Sequence, residues 1–210
     1  MHTIDCYFDV VSPYAYLAFE QLPQALQGLD YRVHYRPVLF GALLQQHGQV
    51  APVDIAPKRE WIYRHALWQA HTLGLPMQLP AAHPFNPLAL LRLAWACPRQ
   101  GTPNRWVCET VLRHVWRGGA AADDAARLAQ LAEQLAPAHA ANGDTARQRL
   151  RQATAQAAAA GVFGVPTFVV TGRHFWGLDA LPMLRAQLAG DPALAPCWDA
   201  PASVAQGPQR

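Results

Sequence analysis

Charged residues are scarce in this chain. Asp, Glu, Lys and Arg together make up 15% of its 210 residues, and the formal net charge is only +3. Nucleic-acid-binding proteins usually carry a clustered basic surface, whereas the densest basic stretch here is Arg147, Arg149 and Arg151 in an alanine-rich segment. That stretch fits a solvated helix face better than a phosphate-binding patch, so we expect no nucleic-acid partner.

Long apolar runs are also absent. No segment approaches the roughly 18 consecutive apolar residues that a membrane-spanning helix needs. The first residues include Asp5 and Asp9 and do not resemble a secretory signal. We therefore expect a soluble, cytoplasmic protein with no membrane partner. Because 51% of the residues are hydrophobic, the chain has enough apolar material for a substantial core.

Paired cysteines and clustered metal ligands are missing as well. The nine histidines include no His-Glu-x-x-His motif, and no Cys-x-x-Cys motif occurs. We therefore expect no metal site. A reducing compartment would keep the scattered cysteines as free thiols: Cys6, Cys97, Cys108 and Cys197.

The first forty residues have the pattern of a β-α-β unit. Side chains alternate between apolar and polar over residues 4–8 and again over 31–35, as in strands, and residues 14–26 have apolar side chains at helical spacing. Ser12 followed by Pro13 is a typical helix start, because serine accepts a hydrogen bond from an unpaired amide and proline fits the first helical position.

The middle of the chain is predicted to be helical. Between about residues 41 and 160, apolar periodic segments are separated by Gly, Pro and Asn, and no strand is predicted. The predicted helices cover residues 58–73, 87–96, 104–116, 123–135 and 144–160.

Strand character returns at residues 165–170 and 174–176, and a last helix is predicted from about Leu178 to Gly190. The order β-α-β, helices, β-β-α predicts an α/β, thioredoxin-like fold interrupted by a large all-helical insertion. The expected units are a thioredoxin-like domain formed by residues 1–40 and 161–190, a helical insertion domain over residues 41–160, and a Pro/Ala-rich, partly ordered tail over residues 191–210.

Three segments contain candidate functional residues. Ser12 lies at the predicted N-terminus of the first helix, where unpaired amides and a partial positive charge stabilise an anion such as a thiolate. Pro166 enters a strand where it cannot donate to the ladder, and a cis Val165–Pro166 bond would turn the Val165 backbone toward a peptide-like ligand. Asp179 could pair with a ligand's ammonium group. The plainer explanations are a helix cap, an edge-strand proline and compensation of the helix dipole.

In combination these segments resemble the family of 2-hydroxychromene-2-carboxylate isomerases and kappa-class glutathione transferases, relatives of the disulfide oxidoreductases. The resemblance covers roughly residues 4–188 and is much more specific for the paired motifs than for either alone. It is carried by FDVVSPYAYL at 8–17, by the segment 37–58, by GVFGVPTF at 161–168 and by WGLD at 176–179.

The resemblance implies a glutathione site. Ser12 would be the catalytic residue, hydrogen-bonding the glutathione sulfur and holding it as a thiolate. The Val165 backbone, set by Pro166, would pair with the cysteine of glutathione, and Asp179, with Leu178 beside it, would bind the γ-glutamyl end.

Further positions follow from the same resemblance. Lys58 would meet a glutathione carboxylate. The second-substrate pocket would involve Gln49, Val50, Phe85 and Asn86. The chain departs from the family pattern in two places, because Gln49 replaces the usual asparagine and Ala180 stands where arginine is common.

The resemblance also implies an activity. Ser12 and Ala15 stand where a redox relative would carry its two cysteines, and a serine hydroxyl cannot take part in disulfide exchange. We expect a homodimeric, glutathione-dependent isomerase that interconverts 2-hydroxychromene-2-carboxylate and trans-o-hydroxybenzylidenepyruvate, an aromatic oxo-carboxylate of hydrocarbon catabolism, by reversible thiolate addition. The alternatives are a kappa-class-like glutathione transferase and a non-catalytic thiol- or peptide-binding module.

Overall fold

The structure, a computed structural model, describes residues 1–198. Its first elements form the predicted β-α-β unit: strand β1 (His2–Phe8), helix α1 (Pro13–Ala25) and strand β2 (Tyr31–Pro37). β1 and β2 are parallel neighbours along their whole length. Parallel neighbours require a crossover connection, which α1 provides.

Helices occupy the chain between the two halves of the sheet. Two of their starts follow directly from the sequence, because Asn104 accepts a hydrogen bond from the Val107 amide and Asp124 from the Arg127 amide, both at 2.9 Å, as N-cap residues do. Within residues 1–198, no helix is both long enough and apolar enough to cross a lipid bilayer. The helices are α2 (Phe40–Gln46), α3 (Ala56–Thr72), α4 (Leu88–Ala96), α5 (Arg105–Trp116), α6 (Ala125–Leu135) and α7 (Asp144–Ala159), with a 3-10 turn at Pro52–Asp54.

A hairpin completes the sheet. Strands β3 (Thr167–Val170) and β4 (Arg173–Trp176) are antiparallel to each other, and β3 is antiparallel to β1, so the strand order is β2-β1-β3-β4. Helix α8 (Leu181–Ala189) follows, and a 3-10 turn spans Pro192–Leu194. The predicted α/β order, β-α-β, helices, β-β-α, is confirmed. Residues 199–210 of the predicted tail lie outside the described residues.

An additional helix and several shifted boundaries distinguish the structure from the prediction. Helix α2 was not expected, because its seven residues are too few to show a clear helical period. Strand β3 begins at Thr167 rather than Val165, since Pro166 has no amide proton for the ladder. Helix α8 begins at Leu181, where Pro182 fits the first turn, so Asp179 lies in the turn before the helix.

One hydrophobic core joins the sheet to the intervening helices. Two tryptophans place this helical block against the ends of the parallel strands. The indole Nε1 of Trp116 donates to the Val10 carbonyl (2.9 Å), just beyond β1, and the indole of Trp95 donates to the Pro37 carbonyl (2.8 Å), at the end of β2. Buried indole N–H groups need such partners, so these contacts fix the orientation of both side chains.

A buried ion cluster ties α1 to α5. The side chain of Glu20 is only 6% exposed, and its carboxylate accepts hydrogen bonds from Nε (2.7 Å) and Nη2 (2.9 Å) of Arg113. Arg117 also approaches Glu20, at 3.0 Å. Because a bidentate arginine–carboxylate pair is directional, it sets the rotation of α1 against the helical block.

The turn between β1 and α1 is built around a buried carboxylate. Asp9 Oδ1 accepts a hydrogen bond from the Val11 amide (3.1 Å) and Oδ2 from the Phe40 amide (2.8 Å). The Asp9 carbonyl accepts from the Ser12 amide (3.1 Å). Burial raises the pKa of Asp9 to about 7, although its backbone hydrogen bonds lower it. One side chain thus links the start of α1 to the start of α2.

Replacing Asp9 with asparagine is expected to flatten the pH dependence of stability. The Asp9 pKa rises from 3.8 to about 7 on folding, so over this range the native state binds a proton that the unfolded chain releases. The free energy of unfolding should therefore fall as pH rises, by up to about 1.4 kcal/mol per pH unit from this group. Urea unfolding at several pH values measures how the free energy of unfolding changes with pH. An equal change in D9N and in the unsubstituted protein would contradict the raised pKa of Asp9.

Candidate functional site

A cleft of about 960 Å³ lies between α1, α3 and α8. This volume is in the range of clefts that bind small molecules. Residues that line the cleft include Tyr14, His65, Val165, Pro166, Leu178 and Asp179. The structure therefore brings together four of the sequence-predicted binding residues, all from the segment after α7, and places Tyr14 of α1 and His65 of α3 beside them.

Ser12 lies at the N-terminus of α1 and next to Val165. Its Oγ accepts a hydrogen bond from the Ala15 amide (3.2 Å), which is the predicted cap. The same hydroxyl lies 3.5 Å from the Val165 carbonyl oxygen, too far for a strong hydrogen bond. The cap uses a lone pair of the oxygen, so the hydroxyl proton remains available to another acceptor. The residue as a whole is 8% exposed.

The Val165–Pro166 peptide bond is cis. Val165 precedes β3 and lines the cleft, and its amide has no hydrogen-bond acceptor among residues 1–198. The neighbouring Pro166 carbonyl is already used, because it accepts from the Gly177 amide at 2.9 Å. Val165 therefore offers an unpaired backbone donor at the cleft.

Asp179 is held in the turn between β4 and α8 by a glycine. Gly177 has a φ of +100°, and a Cβ atom at this position would collide with Asp179 Oδ1. The Asp179 side chain is exposed, and no cationic group within residues 1–198 lies within ion-pair distance of it. An unpaired carboxylate beside a cleft can bind a cationic group of a ligand.

A hydrogen-bonded chain of side chains lines the opposite wall. The Tyr14 hydroxyl lies 2.9 Å from His65 Nδ1, and His65 Nε2 lies 3.1 Å from the amide nitrogen of Gln69. Trp61 stacks on the His65 ring with 9° between the planes and 5.7 Å between the centroids. The sequence interpretation missed this group. The i, i+4 spacing of His65 and Gln69 on α3 is the one feature of the sequence that indicates contact between these two side chains.

Ser12 adjoins the cleft residue Val165 but does not line the cleft itself, and the remaining predicted site residues also lie outside the lining. Lys58 is exposed in the first turn of α3, and Gln49 and Val50 are exposed in the loop after α2. Asn86 Oδ1 accepts from the amide of Leu88, the first residue of α4, at 3.1 Å. Phe85 is half-buried, with its ring edge-on to His83 at 6.0 Å.

The described residues include four unpaired cysteines and no cluster of potential metal ligands. No group of three His, Cys, Asp or Glu side chains within residues 1–198 could hold a metal ion. Cys6, Cys97, Cys108 and Cys197 are free thiols. Burial raises the pKa of the Cys6 and Cys108 thiols, which keeps both protonated.

Comparison with known proteins gives relatives of nearly equal length. The 2-hydroxychromene-2-carboxylate isomerase of Pseudomonas sp. (strain C18) is 27% identical over 197 residues, which cover 90% of this chain and 91% of the relative. Glutathione s-transferase kappa 2 of Caenorhabditis elegans is 26% identical over 203 residues, covering 87% and 90%.

A solved structure and a family model also match nearly the whole chain. A structure of 2-hydroxychromene-2-carboxylate isomerase superposes with a TM-score of 0.77 at 23% identity, covering 97% of this chain and 100% of the other, and so has the same fold. The model of the DSBA-like thioredoxin domain matches residues 3–189. Because that match spans most of its length, the chain belongs to the family of DSBA-like thioredoxin domains.

Proposed function

We propose that this chain is a glutathione-dependent isomerase that interconverts 2-hydroxychromene-2-carboxylate and trans-o-hydroxybenzylidenepyruvate, a step of aromatic hydrocarbon catabolism. The observation that carries the proposal is the position of the Ser12 hydroxyl, at the N-terminus of α1 and 3.5 Å from the Val165 carbonyl beside the cleft. The isomerase name of the relative at 27% identity supports the substrate class.

The groups beside the cleft are compatible with glutathione. A tripeptide has backbone carbonyls for the unpaired Val165 amide, and its one ammonium group suits the Asp179 carboxylate. Leu178, half-buried beside Asp179, would contact the γ-glutamyl chain. The exposed ammonium of Lys58 would meet a carboxylate of glutathione.

The chromene is a cyclic hemiketal, so the bond between its ring oxygen and C2 must first break, with the C2 hydroxyl proton passing to the phenol oxygen, to give the open cis oxo acid. When bound, glutathione would supply a thiol whose reversible addition to the conjugated double bond of this open form, followed by elimination, allows rotation between the cis and trans forms. A free thiol has a pKa near 8.5, and each unit by which the site lowers it corresponds to about 1.4 kcal/mol in favour of the thiolate. Ser12 would hold that thiolate with its hydroxyl proton. The partial positive charge at the N-terminus of α1 acts in the same direction.

The remaining expectations belong to the same proposal. The aromatic oxo acid would contact Gln49, Val50, Phe85 and Asn86. We also propose a cytoplasmic homodimer, divided into the thioredoxin-like, helical and tail segments that the sequence predicts. The exposed positions of Gln49 and Val50 make them accessible to a ligand.

A second candidate is a glutathione transferase, favoured by the relative named kappa 2 at 26% identity. It would use the same residues toward glutathione and differ only in releasing the conjugate. Isomerisation of the chromene and conjugation of a halonitroaromatic, measured on one preparation, separate the two. Glutathione binding without either turnover would indicate a non-catalytic binding module.

The substitution Ser12→Ala tests the catalytic role. It is expected to raise the apparent pKa of the bound glutathione thiol by about one unit, because the hydroxyl donor is lost. Chromene turnover should fall about 100-fold, as for other single donors to a developing anion. The ultraviolet absorbance of the thiolate, followed against pH, and the isomerisation rate measure the two effects.

The matched control is Asn104→Ala, which removes a helix cap at a residue that does not line the cleft. Both substitutions should lower the free energy of unfolding by about 1 kcal/mol, since Ser12 caps α1 and Asn104 caps α5. Only Ser12→Ala should raise the pKa of the bound glutathione thiol and lower the isomerisation rate. An unchanged thiol pKa and rate in that variant would remove Ser12 from the mechanism.

The substitution Asp179→Asn tests the ammonium site. Loss of the carboxylate charge is expected to weaken glutathione binding about tenfold or more, because a hydrogen bond between charged groups is lost. Calorimetric titration measures the affinity. Asp191→Asn is the control, with the same change of charge at a residue that caps the Pro192–Leu194 turn. Equal affinities of the two variants would argue against the role of Asp179.

A further inference from the structure

Tyr14 is the end of a hydrogen-bonded chain that the mechanism above does not use. The chain runs from Gln69 to His65 on α3 and from His65 to the Tyr14 hydroxyl on α1, with distances of 3.1 and 2.9 Å. All three side chains line the cleft that also contains Asp179. The ring of Trp61 is stacked on the imidazole of His65.

The direction of this chain can be worked out from its donors. The Gln69 amide is assigned with its nitrogen toward His65, and in this orientation it can only donate. His65 Nε2 is then the acceptor, and the proton of the neutral ring is on Nδ1. Nδ1 therefore donates to the Tyr14 oxygen. Because the oxygen is already the acceptor there, the Tyr14 O–H has no protein acceptor within residues 1–198 and is available to a ligand.

Tyr14 remains a donor over the neutral pH range. Burial raises its pKa, and the negative charge of Asp179 raises it further. The Tyr14 and Asp179 side chains line the same cleft, which places both groups beside a bound ligand. A ligand group placed between them meets an acceptor on one side and a neutral donor on the other.

That pair of groups matches an α-amino acid. Its ammonium and carboxylate are attached to one carbon, so a ligand whose ammonium pairs with Asp179 brings its carboxylate to the immediate surroundings. Without a donor, this carboxylate would be repelled by Asp179. In glutathione, the only ammonium group is on the γ-glutamyl residue, next to such a carboxylate.

We propose that Tyr14 is a specificity-determining residue whose hydroxyl binds the α-carboxylate of the γ-glutamyl group of glutathione, with His65 and Gln69 as the positioning residues. The inference rests on the proposed use of glutathione. It predicts that the protein discriminates glutathione from thiols that lack this carboxylate, and that the discrimination depends on one hydroxyl group.

A cycle of two proteins and two ligands tests the contact. The proteins are the unsubstituted chain and Tyr14→Phe, and the ligands are glutathione and 4-aminobutanoyl-cysteinyl-glycine, which lacks only the γ-glutamyl carboxylate. Calorimetry should show glutathione binding about 10- to 100-fold more weakly to Tyr14→Phe, as expected for a hydrogen bond to a charged group. The analogue should bind both proteins with nearly equal affinity, because it has no carboxylate to lose.

Arg185 supplies the control, because it lines the same cleft while its Nη1 donates to the carbonyls of Ala25 and Gln27, both at 2.9 Å. Arg185→Gln should leave the preference for glutathione over the analogue intact. If that preference disappears in Arg185→Gln and persists in Tyr14→Phe, the carboxylate site is not Tyr14. If the unsubstituted protein binds glutathione and Tyr14→Phe weakens both ligands equally, this inference falls and the proposed function stands. If the unsubstituted protein binds no glutathione, both fall.

The positioning role has a readout that does not depend on ligand. Long-range proton–nitrogen spectra, recorded at alkaline pH where imidazoles are neutral, distinguish the two tautomers of His65. The Nδ1–H tautomer is expected, and Gln69→Leu should raise the share of the other tautomer. Observation of the Nε2–H form in the unsubstituted protein would mean that the hydrogen bonds among Gln69, His65 and Tyr14 run in the opposite direction. That result would overturn the assignment of Tyr14 as a free donor.

Discussion

The carboxylate of Asp9 is the constraint on which the site depends. This fully buried side chain accepts hydrogen bonds from the amides of Val11 and Phe40, and the backbone carbonyl of Asp9 accepts one from the Ser12 amide. Three segments, the end of β1, the start of α1 and the start of α2, therefore meet at one side chain. The N-terminus of α1 cannot shift without breaking a buried hydrogen bond, which is costly.

The helical block is attached to the same turn. Trp116 donates to Val10, the residue after Asp9, while Arg113 and Arg117 bind Glu20 further along α1. The start of α1 and its rotation are thus set by separate contacts. This explains how a cleft can form between α1, α3 and α8 although those helices come from distant parts of the sequence.

Much of this arrangement could be predicted where the causes are local. The β-α-β unit follows from periodicity, and the Ser12 cap follows from serine preceding proline. The turn that holds Asp179 was harder, because the glycine at 177 and the proline at 182 together delay the start of α8. The Tyr14–His65 pair could not be predicted, since it joins two helices across 51 residues and only tertiary packing brings them together. The exposed Lys58, Gln49 and Val50 were suggested by resemblance and have no local signal of their own.

The Ser12 hydroxyl has two separable roles, because its oxygen caps the helix and its proton can bind a ligand. Its lone pair completes α1, and its proton points to no strong partner. Aspartate or asparagine would complete the helix equally well, but the first would bring a negative charge to a thiolate and neither would offer a hydroxyl. A library of variants sorted for thermal stability would therefore retain several residues at position 12, while one sorted for the proposed binding of a glutathione thiolate would favour those with a hydroxyl group.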